Sequence, residues 1–469
     1  MSGSSTTTLT VLSLNCWGLA VISKLRPQRM EAIADALASS AYEIVGLQEV
    51  WVYADYELII SRTKARFPYA KFFHSAVFGG GLAILSRYPI LEASFHPYRL
   101  NGRAINFYHG DWYVGKGIAS IVIDHPVGGF TEVFNTHTHA GYGPREKDEY
   151  LSHRIAQGWE IANILRASAA RGRNVIALGD FNSRPDTIFY KLVTTHGQVT
   201  DAWNFQQSTA PIISDSSSAI QENEDEDIDV DAAIIKKGYT SDSPKNTWSG
   251  SLEQAKKTKN YGQRIDYVFY RKTSRFWCSN ARVVFTEVIP GLNCSYTDHF
   301  GVEATFTIVG GGKSSVIPLT VWEQGVYDYE HDSDSATFDD MLEVFRKDLE
   351  KSISKQKFHY AIFYISSSIV FMGILMTIII QAGALSPPSW VVIIITIAVA
   401  LFAALGTIFG LVGLLSGNSE QNGLKLVIEE VESWTEGKKI VESRRTSYRD
   451  DGSGSQRSSA VEGDLKRLT

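Results

Sequence analysis

Two stretches near the C-terminal end of this chain, AIFYISSSIVFMGILMTIII and WVVIIITIAVALFAALGTIFGLVGLL, contain no charged residue. Each is long enough, as a helix, to cross a hydrocarbon core of roughly 30 Å. Inside a bilayer the backbone must satisfy its own polar groups, which leaves a helix as the natural form of such a run. A pair of buried core helices is the alternative, but core helices seldom lack every charge. We read residues 358–380 and 389–415 as two transmembrane helices forming a hairpin. The joining loop QAGALSPPS carries no charge, whereas Lys351, Lys355 and Lys357 precede the first run and Lys425, Lys438, Lys439 and Arg444 follow the second. The positive-inside rule then places both ends of the hairpin in the cytosol. The membrane expected is that of the endoplasmic reticulum or the mitochondrial outer membrane.

The 469 residues also leave room for a large soluble domain before the hairpin. Formal net charge is −6 and the sequence pI is about 6.0, and no basic stripe stands out. That balance argues against a nucleic-acid partner, which would call for a basic face. Cys16, Cys278 and Cys294 are widely spaced and form no CxxC pair, so neither a disulfide framework nor a zinc cluster is expected. The start MSGSSTTTLTVLSLN has no charged segment followed by an apolar one, so no signal peptide is expected. Ser2 stands where myristoylation needs glycine.

Residues 1–310 alternate strand-like and helical patterns. LTVLSLNCWG, YEIVGLQEVW, GGGLAILSRYPI, IASIVIDH, FTEVFNTHTH and NVIALGDFN read as strands; RMEAIADALASS and HRIAQGWEIANILRASAA have helical spacing. The pattern predicts a layered α/β domain with polar residues at strand ends. Residues 214–231, Ser-rich and then acidic, are expected to form a solvated insertion loop without the spacing of an EF-hand. Residues 311–357 are a linker followed by an amphipathic helix from about Thr337 to Lys357, with Phe338, Met341, Leu342, Phe345, Leu349 and Ile353 in one stripe. That stripe either pairs with the helix of residues 416–469, where Leu424, Leu426, Val427, Val431 and Trp434 are apolar, or joins a homodimer. The tail from about Glu442 is expected to be disordered.

Hydrolysis of a phosphodiester near neutral pH needs a divalent cation, a base for water and donors for the charge on the phosphoryl oxygens. Suitable groups stand at strand ends: Asn15 in SLNCWG, Glu49 in LQEVW, His137 and His139 in NTHTHA, Asp180 and Asn182 in GDFN, Asp266 in RIDYVF, and Asp298 with His299 in YTDHFG. Most are weak alone: Asn15 alone reads as a turn residue and Asp266 alone as a strand-end ion pair, whereas GDFN after an apolar strand is moderately specific by itself. Their order along the chain makes the set specific.

The series LNCWG, LQEV, GLAILSRYPI, THTHA, GDFNSRP, RIDYV and TDHFG resembles the endonuclease/exonuclease/phosphatase family. Within it, LNCWG, YTSDSPKNTW and the C-terminal hairpin resemble the neutral sphingomyelinase branch, to which the fungal inositol phosphosphingolipid phospholipases C belong. The resemblance implies a four-layered α/β sandwich, two packed sheets flanked by helices, using Mg²⁺. It implies phospholipase C-type hydrolysis of a membrane sphingolipid to ceramide and a phosphorylated headgroup, activated by anionic phospholipids such as phosphatidylserine. Carried over by position, Glu49 with Asn15 binds Mg²⁺, and Asp298 completes that environment. Asp180 and Asn182 orient water and phosphate, and His299, oriented by Asp266, is the base. His137 contacts the phosphoryl oxygens, and His139, where related enzymes carry another polar residue, lies behind them on the substrate side.

GDWYVGKG, from Gly110, nearly spells a phosphate-binding loop, but Gly117 stands in place of the Mg²⁺-binding hydroxyl and a strand is expected next, where that loop opens a helix. Asp111 and Lys116 instead resemble the Asp–Lys switch of neutral sphingomyelinases, in which the lysine holds the aspartate away from the catalytic centre; an ordinary ion pair is the plainer reading. Two other functions stay open from the sequence: a membrane-anchored nuclease or phosphodiesterase of the same superfamily, and a catalytically dead scaffold.

Overall fold

The computed structural model describes residues 5–106, 108–142, 148–204, 230–310, 335–385 and 387–450. The acidic stretch before Val230, the linker before Ser335 and the residues after Asp450 therefore lie outside the described residues. The chain divides into two units, Met1–Asp332 and Ser333–Thr469.

In the first unit the strands are β1 Thr6–Asn15, β2 Ile44–Gln48, β3 Tyr69–Phe73, β4 Leu82–Ser86, β5 Ile90–Pro97, β6 Gly117–His125, β7 Gly129–His137, β8 Asn174–Asp180, β9 Thr200–Asp201, β10 Asp266–Tyr270, β11 Phe276–Val284 and β12 Gly301–Val309. They form two six-stranded sheets, ordered β11-β12-β1-β2-β4-β3 and β5-β6-β7-β8-β10-β9. Each sheet has one parallel pair at its centre, β1 with β2 and β7 with β8, and antiparallel neighbours on both sides. The two sheets are thus built to one plan.

Strands buried on both faces should be apolar throughout, and IVGLQ of β2 and LAILS of β4 are buried at every position. Leu9, Val11, Ile44 and Ile84 of one sheet pack against Ile121, Val133, Ile176 and Leu178 of the other. Helices α1 (Arg26–Ala38) and α2 (Tyr53–Thr63) cover the outer face of the first sheet through Met30, Ile33, Leu37, Tyr56 and Ile59. The short helix α3 (Asp111–Val114) precedes β6, and α4 (Leu151–Ala170) and α5 (Ile188–Thr195) cover the second sheet through Ile161, Leu165, Phe189 and Val193. This is the expected four-layered sandwich.

A polar cluster crosses the sheet–sheet core. Asn135 Nδ2 donates to Leu47 O at 2.8 Å and Ala83 O at 2.9 Å, and Gln48 Nε2 donates to Asn135 Oδ1 at 2.7 Å. Both side chains are fully buried, and they lie just before Glu49 and His137. The Asn135 amide is bonded at both its nitrogen and its oxygen, and these buried bonds fix the register of one sheet on the other, although Gln48 Oε1 has no partner among the described residues.

In the second unit the amphipathic stretch and the first apolar run are not separate elements. They form one helix, Ser335–Gln381, because nothing between Lys357 and the apolar run breaks it. The second run is the helix Ser389–Leu411, followed by a π-helical turn, Val412–Gly417, and the helix Asn418–Asp450. That last helix continues past Glu442, where disorder was expected; no glycine or proline interrupts it between Gly437 and Asp450. Both apolar runs face outward, as helices compatible with a membrane anchor do. The amphipathic stripe is covered within the chain: Phe338, Met341 and Phe345 are buried, as are Leu424, Val427 and Val431. Ser352 Oγ donates to Glu420 Oε2 at 2.8 Å and Gln356 Nε2 to Asn418 Oδ1 at 2.7 Å, tying the two helices together.

Candidate active site

The parallel pairs set the place of the site. In an open α/β sheet the carboxyl ends of parallel strands are where side chains from several loops converge. Here β1 ends at Asn15, β2 leads into Glu49, β7 ends at His137 and β8 ends at Asp180. Because β10 runs antiparallel to β8, its first residue, Asp266, pairs with Asp180. Because β12 runs antiparallel to β1, Asp298 and His299, just before it, arrive at the same end.

Asn15 joins the sheets: its Nδ2 donates to Glu49 Oε1 at 3.1 Å and to Asp180 Oδ2 at 3.0 Å. His137 Nε2 lies 3.6 Å from Asp180 Oδ2 and 3.9 Å from Glu49 Oε1. His299 Nδ1 is 2.8 Å from Asp266 Oδ2. Ligand atoms of Glu49, His137 and Asp180 lie within 4.8 Å of one another, and so do those of Asp180, Asp266 and His299. Asp180 belongs to both groups.

Two of these residues hold left-handed backbone conformations, which strain a residue other than glycine and persist only where the surroundings impose them. Glu49 has φ 57°, and its flanks are clamped: Gly18 N–H donates to Glu49 O and Val50 N–H to Gly81 O, both at 2.9 Å. A Cβ on Gly18 would meet Glu49 O at 2.3 Å, and one on Gly81 would meet Glu49 Cα at 3.2 Å, so both glycines are required for this turn. Asn182 has φ 44°, a conformation that asparagine tolerates. Its N–H donates to Asp180 Oδ1 at 2.9 Å and its Nδ2 to Thr138 O at 3.1 Å.

The electrostatics are those of a site short of positive charge. Burial, and then the neighbouring Asp266, push the Asp180 carboxyl up to about 7. Burial, with Glu49 adding to it, pushes Asp298 up to about 6. Burial opposes charging of His299, but Asp266, Asp180 and Asp298 outweigh it and hold the imidazole well above its usual range. Among the described residues, buried Asp266 Oδ1 has no hydrogen-bond partner. Crowded, under-compensated carboxylate oxygens are a donor set for a hard divalent cation. Glu49 and Asp180, with Asn15 and Asp298 beside them, fit that role.

Lys116 brings a cation to the edge of this cluster. Its Nζ lies 2.8 Å from Asp111 Oδ1, 2.9 Å from Thr138 O and 3.1 Å from His137 Nε2. Burial and Lys116 together push His137 well below its usual range, so it is neutral. With Nε2 accepting from Lys116, its proton sits on Nδ1. Burial opposes ionisation of Asp111, but Lys116 prevails and holds the carboxylate charged. The Asp111–Lys116 pair is therefore formed, and Lys116 is in contact with His137. Gly117 begins β6, so GDWYVGKG does not open a helix.

His139 stands apart from the carboxylate cluster. It is wholly buried, stacked on Tyr150 at 4.1 Å, with Nε2 3.6 Å from Asp111 Oδ2. Burial drives it down to about 3. Its contacts are with the Asp111 side of the site.

Three supporting residues escaped the sequence reading. Arg29 is fully buried and donates to Lys24 O, Cys16 O, Trp17 O and Tyr296 O at 2.7–3.1 Å, tying the loop after Asn15 to the loop before Asp298. The signal was an arginine in helical register with Ile33 and Leu37 on an apolar face. Tyr142 Oη donates to Asp111 Oδ2 at 2.7 Å, and Thr297 Oγ1 donates to Asn15 O at 2.8 Å. Thr297 sits inside a quoted motif; for Tyr142 no sequence signal existed.

The chain matches the Endonuclease/Exonuclease/phosphatase family over residues 12–299. It is 36% identical over 425 residues to the "Inositol phosphosphingolipids phospholipase C" of Schizosaccharomyces pombe, covering 90% of this chain and 93% of that protein. Against the Saccharomyces cerevisiae protein of the same name it is 30% identical over 451 residues, covering 90% and 88%. Against "Sphingomyelin phosphodiesterase 2" of Homo sapiens it is 31% identical over 301 residues, covering 64% of each. With its two-sheet fold and the strand-end cluster of Asn15, Glu49, Asp180, Asp266 and His299, the chain belongs to the endonuclease/exonuclease/phosphatase family.

Proposed function

We propose that this phosphodiester hydrolase cleaves membrane sphingolipids in the manner of a phospholipase C, releasing ceramide and a phosphorylated headgroup. The observation that carries the reading is Asp180 shared between a carboxylate group that suits a cation and the His299–Asp266 pair that suits a base, in a chain with two bilayer-length apolar helices. An inositol phosphosphingolipid is the favoured substrate, because the two fungal relatives of that name resemble the chain over nine-tenths of its length, hairpin included.

Glu49 and Asp180, with Asn15 and Asp298 beside them, would hold Mg²⁺, which would supply positive charge at the phosphoryl oxygens when bound. His299 donates Nδ1–H to Asp266, which leaves Nε2 free to take a proton from water as that water attacks phosphorus. The phosphorus–oxygen bond to ceramide breaks, the ceramide oxygen takes up a proton from solvent water, and His299 releases to solvent the proton it took. Asn182 and His137 border the phosphoryl oxygens, and Lys116 holds His137 neutral and Asp111 out of the carboxylate cluster. Positioning and charge neutralisation, which dominate phosphoryl transfer, are what these residues provide. Lysines flanking the apolar helices would face the cytosolic leaflet, where anionic phospholipid attracts each at about 1 kcal/mol, and activation by phosphatidylserine follows from that placement.

The test is headgroup release by detergent-purified full-length protein with Mg²⁺, with and without phosphatidylserine, on inositol phosphoceramide and sphingomyelin in parallel. Turnover that EDTA abolishes and phosphatidylserine raises is expected. Intact lipid alongside nicked plasmid DNA would overturn the reading in favour of a nuclease.

A further inference from the structure

Loops at the strand ends that carry the candidate site hold large apolar side chains in solvent. Val21 is 95% exposed and Ile22 67%, in the loop between β1 and α1; Val77 is 72% and Phe78 67%, in the loop between β3 and β4; Tyr108 is 70% and Trp112 40%, in the segment between β5 and β6. Strand register places all three loops at one end of the sandwich. The first leaves β1 directly after Asn15. The second enters β4 where Ala83 pairs with Leu47, two residues before Glu49. The third enters β6 where Ile118 pairs with Thr136, next to His137.

The loops are also joined to each other and to the site. Val77 N–H and Phe78 N–H donate to Tyr113 O at 3.1 and 3.2 Å, so the second loop rests on the helix that carries Asp111 and Trp112. Gly18 N–H on one side and Gly81 O on the other clamp the Glu49 turn, so the first and second loops flank the cation-suited carboxylate. A single exposed apolar residue means little, but a contiguous set marks an interaction surface.

We propose that Val21, Ile22, Val77, Phe78, Tyr108 and Trp112 form a rim that inserts into the bilayer surface and brings the strand-end site onto it. The proposal rests on the sphingolipid reading only for the identity of the substrate. A bilayer is the occupant because the three loops adjoin the strand ends that carry Asn15, Glu49 and His137: a second copy or another protein seated there would cover the site, whereas a bilayer both covers the loops and delivers the substrate. Tyr and Trp at the edge with aliphatic and Phe side chains beside them suit the boundary between headgroups and acyl chains. The apolar helices in the same chain keep a bilayer within reach.

The three native cysteines are buried, so an introduced surface cysteine can carry a spin label selectively. Full-length Ile22→Cys, Phe78→Cys and Phe130→Cys proteins would be labelled and reconstituted in phosphatidylcholine nanodiscs. Phe130, exposed beside the β6–β7 turn, marks the opposite end of the sandwich. Labels at 22 and 78 are expected to collide with oxygen in preference to a water-soluble nickel chelate, and the label at 130 to do the reverse. Aqueous labels at all three positions would overturn the proposal, and so would labels at 22 and 78 shielded from both reagents, the signature of a protein partner. In parallel, Val77→Ser/Phe78→Ser is expected to lower sphingolipid hydrolysis in nanodiscs at least tenfold while leaving hydrolysis in detergent micelles unchanged; equal rates in both media would count against the rim. A wild-type protein inert in both media would sink the sphingolipid reading and leave the collision result to decide the rim.

Discussion

Lys116 Nζ lies 3.1 Å from His137 Nε2, in a site otherwise dominated by carboxylates. The same ammonium ends on Asp111 Oδ1 and Thr138 O, so its three protons have three acceptors. A buried pair of this kind is costly to break from one side, because the remaining charge is left uncompensated. Lys116→Met should therefore lower stability by about 3–5 kcal/mol, read as a drop in thermal midpoint, and reduce turnover by about 10²–10³-fold through loss of charge beside the phosphoryl oxygens. Lys116→Met/Asp111→Asn should recover most of the stability and little of the turnover. If turnover returns with stability, the pair is a structural ion pair alone.

Asp180, Asp298 and His299 should each contribute stability to the metal-free protein that is lost as pH rises, while the neutral His137 and His139 act in the opposite direction below about 6.5. Asp180 and Asp298 hold protons more tightly in the fold, up to about 7 and about 6, than an unfolded carboxylate does at about 4. A raised carboxyl binds more protons folded than unfolded, so the contribution of these two declines from about pH 4 through those two values and then levels. His299, also raised, contributes fully below about 6.5 and loses that contribution as pH climbs through its folded value, in the same direction. Mg²⁺ binds the deprotonated carboxylates and opposes the decline. Thermal unfolding in EDTA and in Mg²⁺ should show curves that diverge from pH 5 to pH 8; parallel curves would remove these carboxylates from the cation site.

Much of this candidate site was legible because its residues sit at strand ends, where a polar residue interrupts an apolar run. Asn15, Glu49, His137 and Asp180 were found that way; the alternation of patterns gave a layered α/β domain, and the four layers came from the family resemblance. What escaped were contacts made by long side chains over many residues. Nothing in the sequence near Tyr142 points to Asp111, and the reach of Lys116 to His137 depends on the β6–β7 register. Arg29 was hidden because helical spacing reads it as one polar residue on an apolar stripe, whereas in the fold four carbonyls surround it. The boundary between the amphipathic helix and the first apolar run was set by composition, to which a continuous helix is indifferent.

Gly18 offers a test of the strained turn at Glu49. A methyl group there would lie 2.3 Å from Glu49 O, a backbone atom that cannot swing aside. Gly18→Ala should cost about 1–3 kcal/mol of stability, as overpacking does, and weaken cation binding by displacing the carboxylate. Calorimetric titration with Mg²⁺ reads the second effect directly. Unchanged affinity would mean that Glu49 keeps its place without the clamp, and that its positive φ is incidental to the site.

The His299–Asp266 pair makes the most specific prediction about pH. A base must be neutral to accept a proton, so the acidic limb of the rate profile reports the proton affinity of His299. Asp266 raises that affinity and fixes the tautomer by accepting Nδ1–H at 2.8 Å. In Asp266→Asn the charge is lost: the imidazole gives up its proton more easily, and the acidic limb should move to lower pH. The amide no longer selects the tautomer with Nε2 free, so the plateau rate should fall, by up to the 10²–10⁴-fold that general-base catalysis contributes. His299→Ala should show the same low rate with no such limb at all. Full profiles at saturating Mg²⁺ separate the cases: a limb that stays where it is in Asp266→Asn would assign the titration to another group and remove His299 from the role of base.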